Sequence, residues 1–351
     1  MALDAPAAAC EIWSLPIMKI ISTVALEEPQ RATIIAAAPG AELLDRACKS
    51  PEEISELVSG GCDVLLSFRM PSDILERARG LKWVQLLSAG ADHALGGPMK
   101  SATIPITTAS GVHATPIAEY TLASMLAYAR RLHITIRAQQ RHEWSRRTVI
   151  SSLDVIRGKT LGIVGYGSIG RETARLADAF GMRILALKRN PSERRETGWT
   201  PRGLGDPEGK IPARWFGAEQ CAELLAESDY VSVTLPLTDA TRKFIGAKEI
   251  AAIKPGAYFI NIGRGAVVDE AALAAALSAG KIGGAGLDVF EREPLPAESP
   301  LWDLEQAILT PHVSGDFRGY MELASELFAE NLRRFQTGTP LLNQVDPAHG
   351  Y

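Results

Sequence analysis

The sequence predicts an α/β protein built as two doubly wound domains, each a parallel sheet covered by helices. Three observations carry that prediction. At 351 residues the chain is too long for one small core, and its length favours two domains over a single large one. From Lys19 onward, short apolar strand-like runs alternate with helical ones, the trace a parallel sheet with crossover helices leaves in a sequence. After a long helical stretch the alternation restarts at Lys159, which makes two series rather than one.

The first series opens with the strand-like KIISTVAL and the helical EEPQRATIIAAA. SPEEISELVSG then leads into CDVLLSF, PSDILERARG into WVQLLSAG, and IPITTAS closes the series. TPIAEYTLASMLAYARRLHITIRAQQRHEW has no Gly and no Pro after Pro116, so the spacing predicts one unusually long helix over 116–144, with Pro116 in its first turn. In the second series TLGIVGYG, ETARLADAFG and RILALKR come first. The stretch from Pro191 to Trp215, rich in Gly, Pro and charge, is expected to be a surface excursion near a bound cofactor. AEQCAELLAES, YVSVTLPL, EIAAIKPG, AYFINIG, EAALAAALSAG, GAGLDVF and QAILTPH complete the alternation. A last helix, GYMELASELFAENLRRFQTG, has Leu323, Leu327 and Leu332 among its apolar positions and is compatible with packing on either domain.

Composition narrows the function classes. A hydrophobic fraction of 46% with 22% charged residues is that of a globular chain with a real core. The 37 Lys plus Arg against 41 Asp plus Glu leave a net charge of -4, so no nucleic-acid or membrane partner is expected. Arg130, Arg131, Arg137, Arg141, Arg146 and Arg147 crowd one stretch, read as a solvated face or subunit contact. The four cysteines lack CxxC or Cys/His spacing, so no metal site or disulfide framework is expected, which suits a cytoplasmic protein. No basic leader or apolar run of spanning length is visible, and residues 1–17 are expected to be a dispensable extension.

GYGSIG places Gly165, Gly167 and Gly170 between the apolar TLGIV and a helix. In that context the first glycine permits the turn, the second the approach of a pyrophosphate, and the third close helix–strand packing, with Ser168 and Ile169 at the helix N-terminus. At the end of the next strand, where a carboxylate would hold the ribose of NAD, stand Lys188 and Arg189. Both can donate charge-assisted hydrogen bonds to a 2'-phosphate, so NADP(H) is expected as the preferred cofactor and NAD(H) as the alternative. Ser192, Arg194 and Arg195 are further candidates in the following loop.

Seven motifs taken together resemble the D-isomer-specific 2-hydroxyacid dehydrogenases. They are SAGADH (88–93), GVHATPIAEYTLASMLAYAR (111–130), GKTLGIVGYGSIG (158–170), LPLTDATRKFIG (235–246), NIGRGAVVDE (261–270), GLDVFEREPLP (286–296) and TPH (310–312). The resemblance implies two Rossmann-like domains with the active site in the cleft between them, and a homodimer with the 116–144 helix as its arm. Residues 1–115 with 314–351 would form the substrate-binding, flavodoxin-like domain, and 116–313 the dinucleotide-binding one.

The resemblance also implies a catalytic set of Arg264, Glu293 and His312, three residue types the chemistry requires. His312 would give a proton to a keto oxygen as hydride reaches the carbon. Glu293 would hold the other ring nitrogen and favour the imidazolium. Arg264 would fork onto the substrate carboxylate, which lysine cannot do in the same planar way. By the same resemblance Ala89 and Gly90 close on that carboxylate from the opposite side, Asp288 binds the nicotinamide carboxamide, and Pro236, Thr241 and Ile262 line the cofactor beside Arg264 and His312. His113 stands where many relatives have Asn, which leaves its contact open. The implied substrates are small 2-oxo acids, glyoxylate and hydroxypyruvate first. A phosphite dehydrogenase-like oxidoreductase, or a non-catalytic dinucleotide-sensing module like the related corepressors, are the alternatives.

Overall fold

A computed structural model describes residues 17–95, 99 and 103–346. Its first sheet is built from β1 (Lys19–Ser22), α1 (Glu28–Ala37), β2 (Glu42–Asp45), α2 (Pro51–Val58), β3 (Val64–Ser67), α3 (Ile74–Arg77), β4 (Trp83–Leu86), α4 (Asp92–Leu95) and β5 (Ile106–Thr107). The strands run in the order β2-β1-β3-β4-β5, every pair parallel. All the residues of β3 and β4 are buried, as expected of strands covered on both faces.

Three helices follow: α5 (Ala114–Ala129), α6 (Leu132–Gln140) and α7 (Arg146–Val149). The second sheet then contains β6 (Thr160–Val164), α8 (Ser168–Ala179), β7 (Arg183–Leu187), β8 (Arg214–Phe216), α9 (Cys221–Glu227), β9 (Tyr230–Val233), α10 (Ala247–Ala252), β10 (Tyr258–Asn261), α11 (Glu270–Ser278), β11 (Gly284–Leu287) and β12 (Ala307–Leu309). Its order is β12-β11-β10-β9-β6-β7-β8, again parallel throughout. β6 sits between β7 and β9, so the strand order reverses at its carboxyl end, where open α/β sheets bind ligands. The GYGSIG turn leaves the sheet at that point.

The last helix, α12 (Tyr320–Thr337), returns to the first sheet. Phe328 and Leu332 are fully buried there with Ile20, Ile34, Val64 and Trp83, each burial contributing about 1.5–3 kcal/mol. Beyond it Val345 N–H donates to Ile106 O at 2.8 Å. Among the described residues no helix is long and apolar enough to cross a membrane.

Three expectations are corrected. The single helix over 116–144 is broken, because Arg131 adopts the left-handed conformation (φ 54°). Its guanidinium lies 4.4 Å from the centre of the Tyr128 ring and donates to Ser152 O at 3.2 Å, contacts that hold the break open. The stretch from Pro191 to Trp215 is not wholly a surface excursion, since it ends in β8 and buries Asp206. β2, an edge strand with no fully buried residue, was not anticipated either. The expected N-terminal extension lies, up to residue 16, outside the described residues.

Candidate active site

The three glycines of GYGSIG have separable tasks. Gly165 has φ 107°, and a Cβ there would stand 2.9 Å from Thr234 Oγ1. A Cβ on Gly170 would stand 2.5 Å from Gly165 O and 3.0 Å from Ile163 Cγ2, so α8 approaches β6 only because the side chain is missing. At Gly167 a Cβ would meet nothing within 4 Å. That open space fronts the N-terminus of the 12-residue α8, whose first N–H groups belong to Ser168 and Ile169. Turn, clearance and helix end fit the pyrophosphate of a nicotinamide dinucleotide. Ser168 Oγ also lies 3.5 Å from Ser110 Oγ, which brings the loop up to the segment after β5.

Lys188 and Arg189 follow β7 directly, in unlike settings. Lys188 is half-buried and its ammonium donates to Glu193 O at 2.5 Å. Burial, reinforced by the charge of Arg171, holds its pKa below the ordinary lysine value. Arg189 is exposed. Of the further basic candidates, Arg194 lies over the Trp215 ring at 5.6 Å and Arg195 forks onto Glu208 at 3.1 and 2.9 Å. Ser192 N–H is engaged with Asn190 Oδ1. The loop itself is anchored from beneath: Arg171, 1% exposed, donates to the carbonyls of Asp206 and Arg194 and pairs with Glu196.

His312 and Glu293 come together, with Nδ1 and Oε2 2.8 Å apart. The other carboxylate oxygen accepts from Phe290 N–H at 3.0 Å, so Glu293 is oriented by backbone before it orients the imidazole. A carboxylate only accepts, which assigns the Nδ1 proton to histidine and leaves Nε2 as the ring nitrogen that Glu293 does not engage. His312 holds φ 56°, a left-handed conformation costing a non-glycine residue about 1–3 kcal/mol. Arg264 follows β10 between two glycines and donates to Gly263 O at 2.9 Å. A side chain on Gly263 would stand 2.6 Å from Leu235 O, and one on Gly265 would collide with the Phe290 backbone. The tight packing of 263–265 against 235 and 290 sets Arg264 relative to the Glu293 turn.

Asp288 is wholly buried. Its Oδ1 accepts from Thr310 Oγ1 at 2.5 Å and Val313 N–H at 3.0 Å, and its Oδ2 from Ser314 N–H at 2.9 Å. It was expected at the nicotinamide; the structure shows it gripping the loop on both sides of His312. Pro236 and Thr241 close on one another, Thr241 Oγ1 donating to Pro236 O at 2.6 Å, while Ile262 packs into the core below Arg264.

Ala89 and Gly90 are half-buried in the turn after β4, where Ser88 Oγ donates to Gly90 O at 2.9 Å. The hydroxyl of Tyr320 donates to Leu87 O, and the Tyr320 ring stacks on His113 with centroids 5.0 Å apart. His113 Nδ1–H donates to Gly315 O at 3.1 Å. Burial, with some help from Arg264, holds His113 below the ordinary histidine value, so Nε2 is an acceptor near neutral pH. The turn of the first sheet and the His312 loop of the second are thereby linked through Tyr320 and His113. Tyr120, Thr310 and Tyr320 are given no role by the sequence, although Tyr120 and Thr310 lie inside two of the motifs it singles out, GVHATPIAEYTLASMLAYAR and TPH.

Comparison with known proteins places the chain among relatives of the same fold. The family model described as D-isomer specific 2-hydroxyacid dehydrogenase, NAD binding domain, matches residues 122–314. A glyoxylate reductase of Korarchaeum cryptofilum is 37% identical over 303 residues, 84% of this chain and 85% of that one. A D-isomer specific 2-hydroxyacid dehydrogenase from Xanthobacter autotrophicus, solved with NADPH and MES, superposes with TM-score 0.76 at 32% identity, covering 95% of this chain and 99% of the other. An NADPH-dependent glyoxylate/hydroxypyruvate reductase from Sinorhizobium meliloti, solved with NADP and sulfate, gives TM-score 0.76 at 28% identity over 95% and 100%. With two parallel sheets, a dinucleotide turn and a histidine–glutamate pair in the expected motifs, the chain belongs to the D-isomer specific 2-hydroxyacid dehydrogenase family.

Proposed function

We propose that the protein is an NADP-preferring reductase of small 2-oxo acids, glyoxylate and hydroxypyruvate first, yielding the D-2-hydroxy acids. The observation that carries this reading is the oriented pair of His312 and Glu293, on a loop linked through His113 and Tyr320 to the turn of Ala89 and Gly90. The reductases similar to this chain, one solved with NADP, support the substrates, and the two cations after β7 support the cofactor.

A bound nicotinamide supplies the hydride. His312 gives the Nε2 proton to the keto oxygen, so the carbonyl π pair becomes the O–H bond as the carbon gains its hydrogen. Glu293 keeps the Nδ1 proton in place and stabilises the charged ring before transfer. Arg264 holds the substrate carboxylate from one side and the backbone of Ala89 and Gly90 from the other, which fixes the keto carbon toward the cofactor. Arg189 meets the 2'-phosphate, with Lys188 adding charge behind it.

The organisation we favour is a substrate unit of residues 1–115 with 314–351, a cofactor unit of 116–313, and a cytoplasmic homodimer. The exposed Leu132, Ile136, Trp144, Ile150 and Val155 around α6 and α7 are the face we assign to the second copy. Oxidation of NADPH and NADH, followed side by side by absorbance with glyoxylate, hydroxypyruvate and pyruvate, tests the proposal. Faster turnover of NADPH is expected; a preference for NADH would overturn the cofactor assignment, and no turnover with any acceptor would overturn the substrate assignment.

A further inference from the structure

We infer that Thr310, braced by Tyr120 of α5, is the positioning residue that sets the His312 imidazole against Glu293. The inference rests on His312 being the proton donor proposed above. Tyr120 OH and Thr310 Oγ1 are 2.7 Å apart, and Thr310 Oγ1 is 2.5 Å from Asp288 Oδ1. A carboxylate oxygen only accepts, so the threonine proton points to Asp288 and the tyrosine must donate to threonine. Burial pushes the Tyr120 phenol up to about 12, which keeps that proton available across the working range. The order of donation is therefore fixed: Tyr120 to Thr310 to Asp288.

The three groups bracket His312. Asp288 Oδ1 also accepts from Val313 N–H and Oδ2 from Ser314 N–H, so one buried carboxylate holds residues 310, 313 and 314. Between them His312 occupies a left-handed backbone conformation that a histidine does not favour alone. Helix α5 grips the loop through Tyr120 at Thr310, and His113, the residue just before the helix, grips it again at Gly315. Since α5 leads out of the first sheet and packs on α8, it ties the imidazole to the element joining the two sheets. Thr310 is assigned no contact with substrate or cofactor; it acts through the histidine.

The test compares Thr310→Val, Thr310→Ser and Tyr120→Phe with the wild type. Loss of the hydroxyl in Thr310→Val should lower kcat by about tenfold or more while KM for NADPH changes by less than about twofold, as for a misplaced catalytic group. Thr310→Ser, which keeps the hydroxyl, should recover most of that loss, and Tyr120→Phe should fall between the two. The ring-nitrogen NMR signals of His312 are read in the same variants without substrate, and so report on the Glu293 contact independently of which acid is reduced. Altered signals in Thr310→Val that return in Thr310→Ser support the inference. Unchanged signals and kcat in Thr310→Val, or a Thr310→Ser variant as impaired as the valine one, would overturn it. Tyr120→Phe keeps the proposal refutable if valine at 310 prevents folding, because wild-type signals and kcat there would show that the tyrosine braces nothing.

Discussion

Glu293→Gln removes charge from the His312 partner while keeping its shape, and the surrounding hydrogen bonds determine the effect on the imidazole. In the native arrangement one carboxylate oxygen accepts from His312 Nδ1–H and the other from Phe290 N–H. An amide has one acceptor oxygen. If it serves Phe290, its NH2 group faces Nδ1 and selects the neutral tautomer with Nδ1 bare, whose Nε2 proton is a poor acid. If it serves His312, the NH2 group opposes the Phe290 N–H, donor against donor. A charge-assisted hydrogen bond contributes a net ~1.5–3 kcal/mol. The His312 and Glu293 side chains are 49% and 36% exposed, and that screening places the pair near the lower end, about 1.5 kcal/mol. The expected result is a fall in kcat of about tenfold for 2-oxo acid reduction. Stopped-flow oxidation of NADPH measures kcat, and quenching of protein fluorescence measures cofactor affinity, which should hold within about twofold because Glu293 faces the imidazole. A kcat equal to that of the wild type at every pH would refute the reasoning, since the pair would then have no part in proton delivery.

Two further outcomes are expected. Arg189→Glu should reduce the preference for NADPH over NADH by about 10–150-fold, the value of one charge-assisted contact, read as the ratio of kcat/KM for the two cofactors; an unchanged ratio would make Arg189 a solvated charge. His113 is held below its ordinary value chiefly by burial, opposed by Gly315 O and Asp316 and reinforced by Arg264, so below pH ~6.5 the unfolded chain binds more protons than the folded one and stability falls as pH drops through that window. His113→Asn should therefore lose less Tm than the wild type between pH 7 and about 5, and equal losses would show that His113 does not report on that window.

Much of the fold and of the candidate site was legible because the residues concerned lie in local motifs. GYGSIG needs only its own strand and helix to be read, and EREP and TPH each carry their functional side chain within a few residues. What escaped the sequence depends on long-range partners. Arg131 breaks a helix with no Gly or Pro to announce it, because the compensating contacts come from Tyr128 and from Ser152, 21 positions away. β2 and β8 are edge strands of four and three residues, too short to show alternation. Tyr120 sits in a helix where an aromatic residue reads as ordinary core, and its partner is 190 positions distant. Lys188 and Arg189 looked equivalent as adjacent letters, whereas the carbonyl of Glu193 engages one ammonium and leaves the other cation at the surface.

The anchoring of the segment from Pro191 to Trp215 bears on how this chain can be re-engineered. A long connection rich in Gly, Pro and charge is where one would ordinarily splice a tag, open new termini or exchange a loop between homologues. Here the guanidinium of Arg171 and the carboxylate of Asp206 are buried against its backbone and the Tyr166 hydroxyl, and Trp199 N–H is held by Asn343 from the far end of the chain. Exchanging the whole segment would strand an interior cation and detach the C-terminal residues together, so cofactor choice in this protein is better altered one side chain at a time.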